Sequence, residues 1–293
     1  MNKRKIILSG GAGYIGCRLT ETLLQDPTVE TVTVFDNLMY KQDGIACFSN
    51  NDKFNFVYGD VRDKEAFQKE ITKHDEVISL AAIVGFPAAD RDKKLAWDVN
   101  AEQIKTIGEV LSKSQKFIYL NSNSGYGIGQ EGQFLTEKDS LNPLSTYGRS
   151  KCLGEEYALQ SKAAVARLAT VFGTSQKFRR DLLVNDFVIR SQSDRFLVLF
   201  QENAKRNYIH ILDVVDFITR ALGEYDRFSG EVFNVGLSSA NLSKLELAQK
   251  IKEHVPSLVI KTDPYAVDLD KRDYLISNQK LEDTGWSAKR DLD

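Results

Sequence analysis

The hydrophobic positions of this chain follow two alternating periods. Short apolar runs rich in β-branched residues, such as KIILSG at 5–10 and TVTVFD at 31–36, are typical of buried strands. Between such runs, apolar residues recur three or four positions apart, which predicts amphipathic helices. We predict further strands at FNFVYGD, DEVISLAA, KFIYLNS and AVARLAT, and helices over 14–25, 63–72, 98–112 and 145–160. This alternation is typical of an α/β fold with a doubly wound, mostly parallel sheet.

The pattern loosens after residue 173. The stretch RNYIHILDVVDFITRAL predicts a strand followed by a helix, and EVFNVG predicts one more strand, so part of the second half returns to the sheet. We therefore predict one sheet domain over 1–173, completed by 206–236, and a smaller lobe over 174–205 and 237–293. This C-terminal lobe is interleaved with the first domain and lies over the carboxyl edge of its sheet, where substrates bind.

The composition limits the class of protein. With 293 residues, of which 42% are hydrophobic, the chain can bury a substantial core. Its formal net charge of -2 gives no general attraction to nucleic acid or to an anionic membrane, and no apolar run approaches the length of a membrane span. The three cysteines, Cys17, Cys47 and Cys152, form no CxxC pair. We expect a cytoplasmic protein with reduced thiols, with no metal site and with neither nucleic acid nor membrane as a partner.

Three glycines at threefold spacing separate the first strand from the first helix. Gly10, Gly13 and Gly16 permit a tight turn, close approach of the backbone to a pyrophosphate, and close helix–strand packing. The helix N-terminus then offers N–H groups to the phosphates. Asp36 ends the second strand, where a carboxylate can hydrogen-bond ribose hydroxyls and repel a 2′-phosphate. These residues predict a Rossmann domain that binds NAD rather than NADP, although Asp36 alone could equally cap the turn before Asn37.

Two further strand ends complete the predicted cofactor groove. The motif GDVRD after the third strand would place Asp60 and Val61 beside the adenine, and LAA after the fourth would place Ala81 and Ala82 against the cofactor. Carboxyl ends of neighbouring parallel strands meet at one edge of a sheet. We therefore expect all these residues to line the same cleft as the glycine loop.

A tyrosine and a lysine four residues apart supply the candidate chemistry. Tyr147 and Lys151, in YGRSK, fall on one face of a predicted helix. A free phenol has a pKa near ~10, which the Lys151 ammonium and the positive nicotinamide would lower. Lys151 could also hydrogen-bond the nicotinamide ribose. Ser122 ends the fifth strand, where it could hold a substrate hydroxyl while Tyr147 takes the proton and a hydride leaves for the nicotinamide. The alternatives are a solvated helix face for the pair and a turn residue for Ser122.

These motifs resemble those of a known family. The glycine loop, Asp36, GDVRD, LAA, Asn100 in DVNAEQ, NSNSGYG and YGRSK are similar to an extended short-chain dehydrogenase/reductase of the NAD-dependent nucleotide-sugar epimerase/dehydratase group. The resemblance implies a catalytic triad of Ser122, Tyr147 and Lys151, with Tyr147 as the general base. It implies NAD as the cofactor and a cofactor site formed by Gly10, Gly13, Tyr14, Ile15, Gly16, Asp36, Asn37, Asp60, Val61, Ala81, Ala82, Asn100, Tyr147, Lys151, Thr170 and Val171.

The resemblance also implies a nucleotide-diphosphate sugar as the substrate. The residues that match the family's substrate site are Ser122, Asn123, Ser124, Asn185, Arg206 and Arg272. Asn185 and Arg206 would hold the diphosphate and Arg272 would contact it, since a guanidinium suits a diphosphate through paired hydrogen bonds. For each arginine alone, a surface charge or a structural salt bridge is the alternative. The family further implies a homodimer formed through the helices at 98–112 and 145–160.

A departure from the family narrows the reaction. Its 4,6-dehydratases follow the catalytic Ser or Thr with an Asp–Glu pair, whereas this chain has Asn123 and Ser124, which cannot perform that proton transfer. No good second base is visible among the cysteines or the three histidines. What remains is oxidation of a sugar hydroxyl, most simply at C4, to a ketone. The ketone then leaves, as in a 4-dehydrogenase, or takes the hydride back on the opposite face, as in a 4-epimerase.

The downstream stretches favour one substrate class. NLSKLELAQKI and DKRDYLISNQKL are similar to a bacterial subgroup associated with surface polysaccharides such as capsule, which includes dehydrogenases of GDP-activated heptose. The resemblance therefore favours a GDP-sugar and a GDP-heptose 4-dehydrogenase. The alternatives are a nucleotide-sugar 4-epimerase and a non-catalytic, NAD-sensing regulatory protein, which the retained triad disfavours. An NADPH-linked ketosugar reductase is disfavoured by Asp36.

Overall fold

The computed structural model describes residues 3–263, 265 and 272–292. In this part of the chain the strands are β1 (Arg4–Ser9), β2 (Val29–Asp36), β3 (Phe54–Tyr58), β4 (Glu76–Ser79), β5 (Lys116–Ser122), β6 (Phe134–Leu135), β7 (Ala164–Leu168), β8 (Thr170–Phe172), β9 (Phe196–Leu199), β10 (Lys205–His210), β11 (Val232–Val235), β12 (Asn241–Ser243), β13 (Val259–Thr262) and β14 (Leu275–Ile276). The helices are α1 (Tyr14–Gln25), α2 (Lys64–Ile71), α3 (Phe86–Arg91), α4 (Lys93–Trp97), α5 (Gln103–Val110), α6 (Thr146–Gln160), α7 (Leu183–Ser193), α8 (Ile211–Gly223), α9 (Tyr225–Phe228), α10 (Lys244–His254) and α11 (Gln279–Glu282).

A seven-stranded sheet in the order β11-β7-β5-β4-β1-β2-β3 forms the centre of the fold. Its neighbouring strands all pair in parallel. The chain winds outward from β1 in both directions, through β2 and β3 on one side and through β4, β5 and β7 on the other. This confirms the predicted doubly wound α/β fold. The strand order reverses beside β1, which opens a crevice at the carboxyl ends of the strands.

Two apolar layers cover the faces of this sheet. Along β1, Ile6 and Leu8 belong to the layer that α1 and α8 complete. Ile7 belongs to the opposite layer, which α2, α5 and α6 complete. All three side chains are fully buried. Strands covered on both faces have continuous apolar runs rather than alternating ones. The runs of this chain, such as KIILSG and TVTVFD, are of the continuous kind.

The predicted elements differ from the structure mainly at two places. The predicted strand at 164–170 is divided, because the Ala169 N–H donates to the Val235 carbonyl (3.0 Å) and β8 then leaves for another sheet. The helix predicted over 98–112 begins with a π-helical turn at Asp98–Glu102 and continues as α5. The sequence pattern contains no signal for such a wide turn.

A three-stranded sheet in the order β12-β10-β8 organises the smaller lobe. β10 pairs with β8 in parallel and with β12 in antiparallel orientation. Of the segment predicted to return to the large sheet, α8 packs on it and β11 extends it, whereas β10 belongs to the smaller sheet. The two domain boundaries themselves stay a prediction. Within the described ranges, no helix has both the length and the apolar character needed to cross a membrane.

Candidate active site

A cavity of about 1190 Å³ lies at the carboxyl edge of the large sheet. Loops that follow β1, β2, β3, β4, β5 and β7 open into it, as expected for the crevice of a doubly wound sheet. The structure brings most predicted site residues together in its wall: Gly10, Gly13, Tyr14, Ile15, Gly16, Asp36, Asn37, Asp60, Val61, Ala81, Ala82, Ser122, Tyr147, Lys151, Thr170, Val171, Arg206 and Arg272. Both halves of the chain contribute to one cleft.

The glycine loop between β1 and α1 depends on close backbone contacts. Gly10 has a φ of +71°, and a Cβ at this position would lie 2.4 Å from the backbone nitrogen of Ala81. A Cβ on Gly16 would lie 2.3 Å from the Gly11 carbonyl oxygen. Gly13 is the N-cap of α1, and no side chain of the described residues caps this helix start. The first N–H groups of α1 therefore stay available to a ligand, and the bare backbone cradle fits a dinucleotide pyrophosphate.

Asp36 lies at the end of β2 in the wall of the cavity. One carboxylate oxygen accepts a hydrogen bond from the Ala12 N–H (3.1 Å) and the other from the Leu38 N–H (2.8 Å). Burial raises the pKa of this carboxyl. Since a carboxylate offers about four acceptor positions, Asp36 can brace the glycine loop and the following turn and still accept from ribose hydroxyls. The turn-capping role and the cofactor role are therefore compatible.

The three candidate catalytic residues converge from β5 and α6. Ser122 is the last residue of β5, and its side chain interacts with the Tyr147 phenol. Lys151 follows one helical turn after Tyr147 on α6 and is 4% exposed. Its ammonium donates to the Leu120 carbonyl (2.6 Å) and lies 4.2 Å from the centroid of the Tyr119 ring. The arrangement holds a hydroxyl, a phenol and an ammonium at one point of the cavity wall.

Burial shifts the pKa values of both ionisable members. It raises the pKa of Tyr147, and the nearby Arg272 charge opposes this effect. It lowers the pKa of Lys151 to about 7, against the influence of Cys152 and Glu155. The expectation that Lys151 depresses the phenol pKa does not hold for the protein alone, because loss of hydration outweighs the charges around Tyr147.

Asn100, predicted to contact the cofactor, lies behind the residues that line the cavity. It is fully buried and is not among the described residues that line the cavity. Its amide oxygen accepts from the Ile83 N–H (2.8 Å), and its amide nitrogen donates to the Ile83 carbonyl (3.1 Å) and the Ser150 hydroxyl (3.0 Å). Asn100 thereby ties the loop after β4 to α6. The π-helical turn places its side chain for these bonds.

Three residues predicted to bind substrate also lie outside the lining. Asn185 accepts from the Gly173 N–H (3.0 Å) and donates to the Arg179 carbonyl (2.9 Å), so its amide is engaged with backbone. Asn123 and Ser124 are 1% and 3% exposed in the 3₁₀ turn after β5, and neither is among the described residues that line the cavity. In each case local backbone geometry, which the sequence pattern does not specify, determines the direction of the side chain.

The cavity also includes cationic and aromatic residues that the sequence analysis did not assign to it: Tyr40, Lys177, Phe178, Arg179, Phe200, Lys244 and Tyr274. The Arg179 guanidinium pairs with Asp181, with a distance of 2.6 Å from Nε to the carboxylate. The charged cluster FRRDLL, which follows a predicted strand closely, could have indicated Arg179 as a site residue. No sequence pattern could have indicated Lys244, because it reaches the cavity only through the pairing of β12 with β10. The part of the chain described here contains no cluster of His, Cys, Asp and Glu able to hold a metal ion.

Comparison with known proteins identifies the family. The model of the NAD dependent epimerase/dehydratase family matches residues 6–236, which is most of the chain. The protein therefore belongs to the NAD dependent epimerase/dehydratase family. Its members are NAD-dependent enzymes that act on nucleotide sugars, which confirms the predictions of an enzyme and of NAD as the cofactor.

Individual relatives extend over nearly the whole chain. The low-salt glycan biosynthesis protein Agl12 of Haloferax volcanii is 26% identical over 97% of this chain and 93% of its own length. A putative UDP-glucose 4-epimerase of Methanocaldococcus jannaschii is 27% identical over 98% and 94%. The solved UDP-glucuronic acid 4-epimerase from Bacillus cereus, in complex with UDP-glucuronic acid and NAD, has a TM-score of 0.86 at 24% identity and covers 98% and 95%. The last comparison shows a shared fold.

Proposed function

We propose that this protein oxidises the C4 hydroxyl of a nucleotide-diphosphate sugar to a ketone. The observation that carries the proposal is the position of Ser122, Tyr147 and Lys151 in one cavity, with the glycine cradle and the predicted diphosphate arginines in the same wall. A hydride acceptor, a proton acceptor and a substrate anchor are what such an oxidation requires. Bound NAD supplies the hydride acceptor.

The residues divide the work of the reaction. Ser122 and Tyr147 hold the reacting hydroxyl, and Tyr147 removes its proton as the carbon is oxidised. Burial opposes the phenolate that this step needs, so positive charge must compensate. Arg272 and Arg179 provide part of that charge, and we assign the rest to bound NAD together with the Lys151 ammonium on the same helix face. Lys151 is therefore required in its charged form.

Dehydration is not part of the proposal. Asn123 and Ser124 are buried beside Ser122, and neither carries a carboxyl that could protonate a leaving hydroxyl. No histidine or cysteine is among the described residues that line the cavity. Asp181, which does line it, is paired with Arg179, and this holds the pKa of the carboxyl below its usual value. These facts support a simple oxidation without a second acid.

The far side of the cavity supports a GDP-sugar. Arg206, 4% exposed, would bind the diphosphate together with Arg272. Beyond them, the Lys244 ammonium donates to the Phe200 carbonyl (3.0 Å) and lies 5.0 Å from the centroid of the Phe200 ring. An exposed ring beside a cation suits a nucleobase, and the O6 and N7 acceptors of guanine pair well with cationic donors. We therefore propose a GDP-sugar as the substrate, with GDP-heptose 4-dehydrogenase activity as the family resemblance implies, and the glycan-biosynthesis relative supports a role in glycan synthesis.

A 4-epimerase is the second candidate, since one relative is named a putative UDP-glucose 4-epimerase. The same triad would oxidise C4, and the hydride would return to the opposite face of the ketone. A non-catalytic NAD sensor is the third alternative, and the assembled triad disfavours it. We further propose a homodimer through α5 and α6, which light scattering after size-exclusion chromatography would measure.

The decisive experiment follows NADH absorbance while the protein meets GDP-, UDP- and dTDP-sugars, including GDP-heptose, with added NAD⁺. Stoichiometric NADH with one of them is the result expected for a dehydrogenase. An isomerised sugar without net NADH would support the 4-epimerase. No turnover with any nucleotide sugar, despite NAD binding, would overturn both and favour the sensor.

A further inference from the structure

A buried ion pair lies directly behind the candidate triad. Arg167 on β7 donates to Glu155 on α6 through Nε (3.0 Å) and through Nη2 (2.5 Å). The two side chains are 6% and 5% exposed, and neither residue is among the described lining of the cavity. Burying two charges costs more than an apolar pair of the same size would. Burial of the pair is therefore a weak argument for stability, and its connections to the site bear on its role.

The ion pair holds the chain on both sides of Ser122. Before it, the Asn121 amide nitrogen donates to Glu155 (2.6 Å). After it, the Tyr126 hydroxyl accepts a hydrogen bond from Arg167 (2.8 Å), and Tyr126 is the last residue of the 3₁₀ turn that follows Ser122. The catalytic serine thus lies between two anchored neighbours. These two hydrogen bonds connect the neighbours of Ser122 to α6 and β7.

Tyr126 extends the network across the sheet. Its hydroxyl also donates to the Asn234 amide oxygen (2.7 Å) on β11. Four elements, β5, β7, α6 and β11, therefore meet in one buried polar network. A buried polar network of this kind favours one arrangement of the groups it holds, and here one of its atoms, the Asn121 amide oxygen, has no hydrogen-bond partner among the described residues.

Glu155 has a second connection to the triad through α6. It lies four residues after Lys151 on the same helix, so the carboxylate and the ammonium are neighbours on one face. Burial lowers the pKa of Lys151, and the negative charge of Glu155 acts in the opposite direction. The ionisable groups around Lys151 are Tyr119 on β5 and Tyr147, Cys152 and Glu155 on α6. Arg167 on β7 is paired with Glu155, and Tyr126 in the 3₁₀ turn is bonded to Arg167.

We propose that Glu155 and Arg167 are positioning residues for the reaction: they hold the segment on both sides of Ser122 against α6, the helix that carries Tyr147. The inference rests on the proposed function, because it assigns the pair a purpose only if the triad performs the oxidation. The two residues touch neither substrate nor cofactor. Their effect passes through Asn121, Tyr126 and Lys151.

The first test compares two neighbouring glutamates. Glu155→Gln keeps the size and one acceptor oxygen but removes the charge, whereas Glu156→Gln makes the same change on the exposed face of α6. We expect kcat of Glu155→Gln to fall by about 100-fold, the size of effect that a small misplacement of reacting groups produces. KM and the affinity for NAD should change little. Glu156→Gln should match the wild type in all three.

The dependence of activity on pH distinguishes a positioning role of Glu155 from a loss of folded protein. Without the Glu155 charge, Lys151 loses its proton more easily, so the pKa of its ammonium falls further. Activity that needs the ammonium should then fade at lower pH on the alkaline side in Glu155→Gln than in the wild type. A mere loss of folded protein would scale the whole profile without moving it.

A double variant controls for the possibility that Glu155→Gln loses activity only because it is destabilised. Glu155→Gln with Arg167→Met removes both charges and leaves no buried unpaired cation, so thermal stability should recover. We expect kcat to stay low. Recovery of wild-type kcat in the double variant, or wild-type kcat and pH profile in Glu155→Gln, would overturn the inference while the wild type still turns over. If the wild type turns over no nucleotide sugar, the proposed function fails and this inference fails with it.

Discussion

The proposed cofactor side and the proposed substrate side of the cavity are lined by different kinds of chemical groups. On the cofactor side the wall is mostly backbone and small residues, held by contacts such as that between Gly10 and Ala81. On the substrate side it consists of long charged and aromatic side chains, such as Arg206, Lys244 and Phe200. Backbone recognises what every dinucleotide shares, whereas long side chains can change without altering the fold. Under the proposed function, one side sets the cofactor and the other sets the substrate.

The largest expected effect falls where the two sides meet. Tyr147→Phe removes the proton acceptor but keeps the ring, so turnover should fall by about 10²- to 10⁴-fold. NAD affinity and the thermal unfolding temperature should stay close to those of the wild type. Steady-state kinetics measure the turnover, and NAD titration measures the affinity for the cofactor. Undiminished turnover in this variant would remove Tyr147 from the mechanism.

Gly10→Ala should break the cofactor side alone. Its Cβ would meet the Ala81 backbone at 2.4 Å in a residue with φ +71°, so the loop must move. We expect NAD affinity to fall strongly, together with a loss of stability that exceeds the roughly 1–2 kcal/mol of a left-handed alanine. Gly132→Ala is the control, because Gly132 has φ +73° but no atom within 4 Å of its Cβ position. Equal effects in the two variants would show that the close approach is unimportant.

Lys244→Met should alter only the substrate side. If the ammonium recognises guanine, the preference for a GDP-sugar over the UDP-sugar should fall by about 5- to 150-fold, the range for a good contact to a base edge. NAD affinity should not change. Lys252→Met, an exposed lysine of the same helix, serves as the control. An unchanged ratio of kcat/KM values would place the base elsewhere in the cavity.

Asp36→Ala should produce the smallest effect, on cofactor choice. The variant loses the acceptor for ribose hydroxyls and the repulsion of a 2′-phosphate, so the ratio of NAD to NADP affinity should fall a few-fold. The lost hydrogen bond to the Ala12 N–H should also weaken NAD binding itself. Asp43→Ala, an exposed change in the following loop, is the control. A preserved preference for NAD would leave Asp36 with its turn-capping role only.

The same contrast explains what could be predicted from the sequence. The large sheet and the glycine loop follow from local periodicity and spacing, because β1, α1 and β2 are consecutive. Asn100 and Asn185 lie outside the lining of the cavity, since their side-chain directions depend on a π-helical turn and on backbone partners. Lys244 and Phe200 were missed because they meet only when separate strands pair in the smaller lobe. Contacts between distant segments carry no local pattern.

The single residue between β7 and β8 has a mechanical consequence. Ala169 is buried and bonded to Val235, and on either side of it the chain enters a different sheet. A hinge requires a few residues whose dihedral angles can change freely, and this crossing provides none. At this crossing the two sheets are therefore joined rigidly, without a hinge.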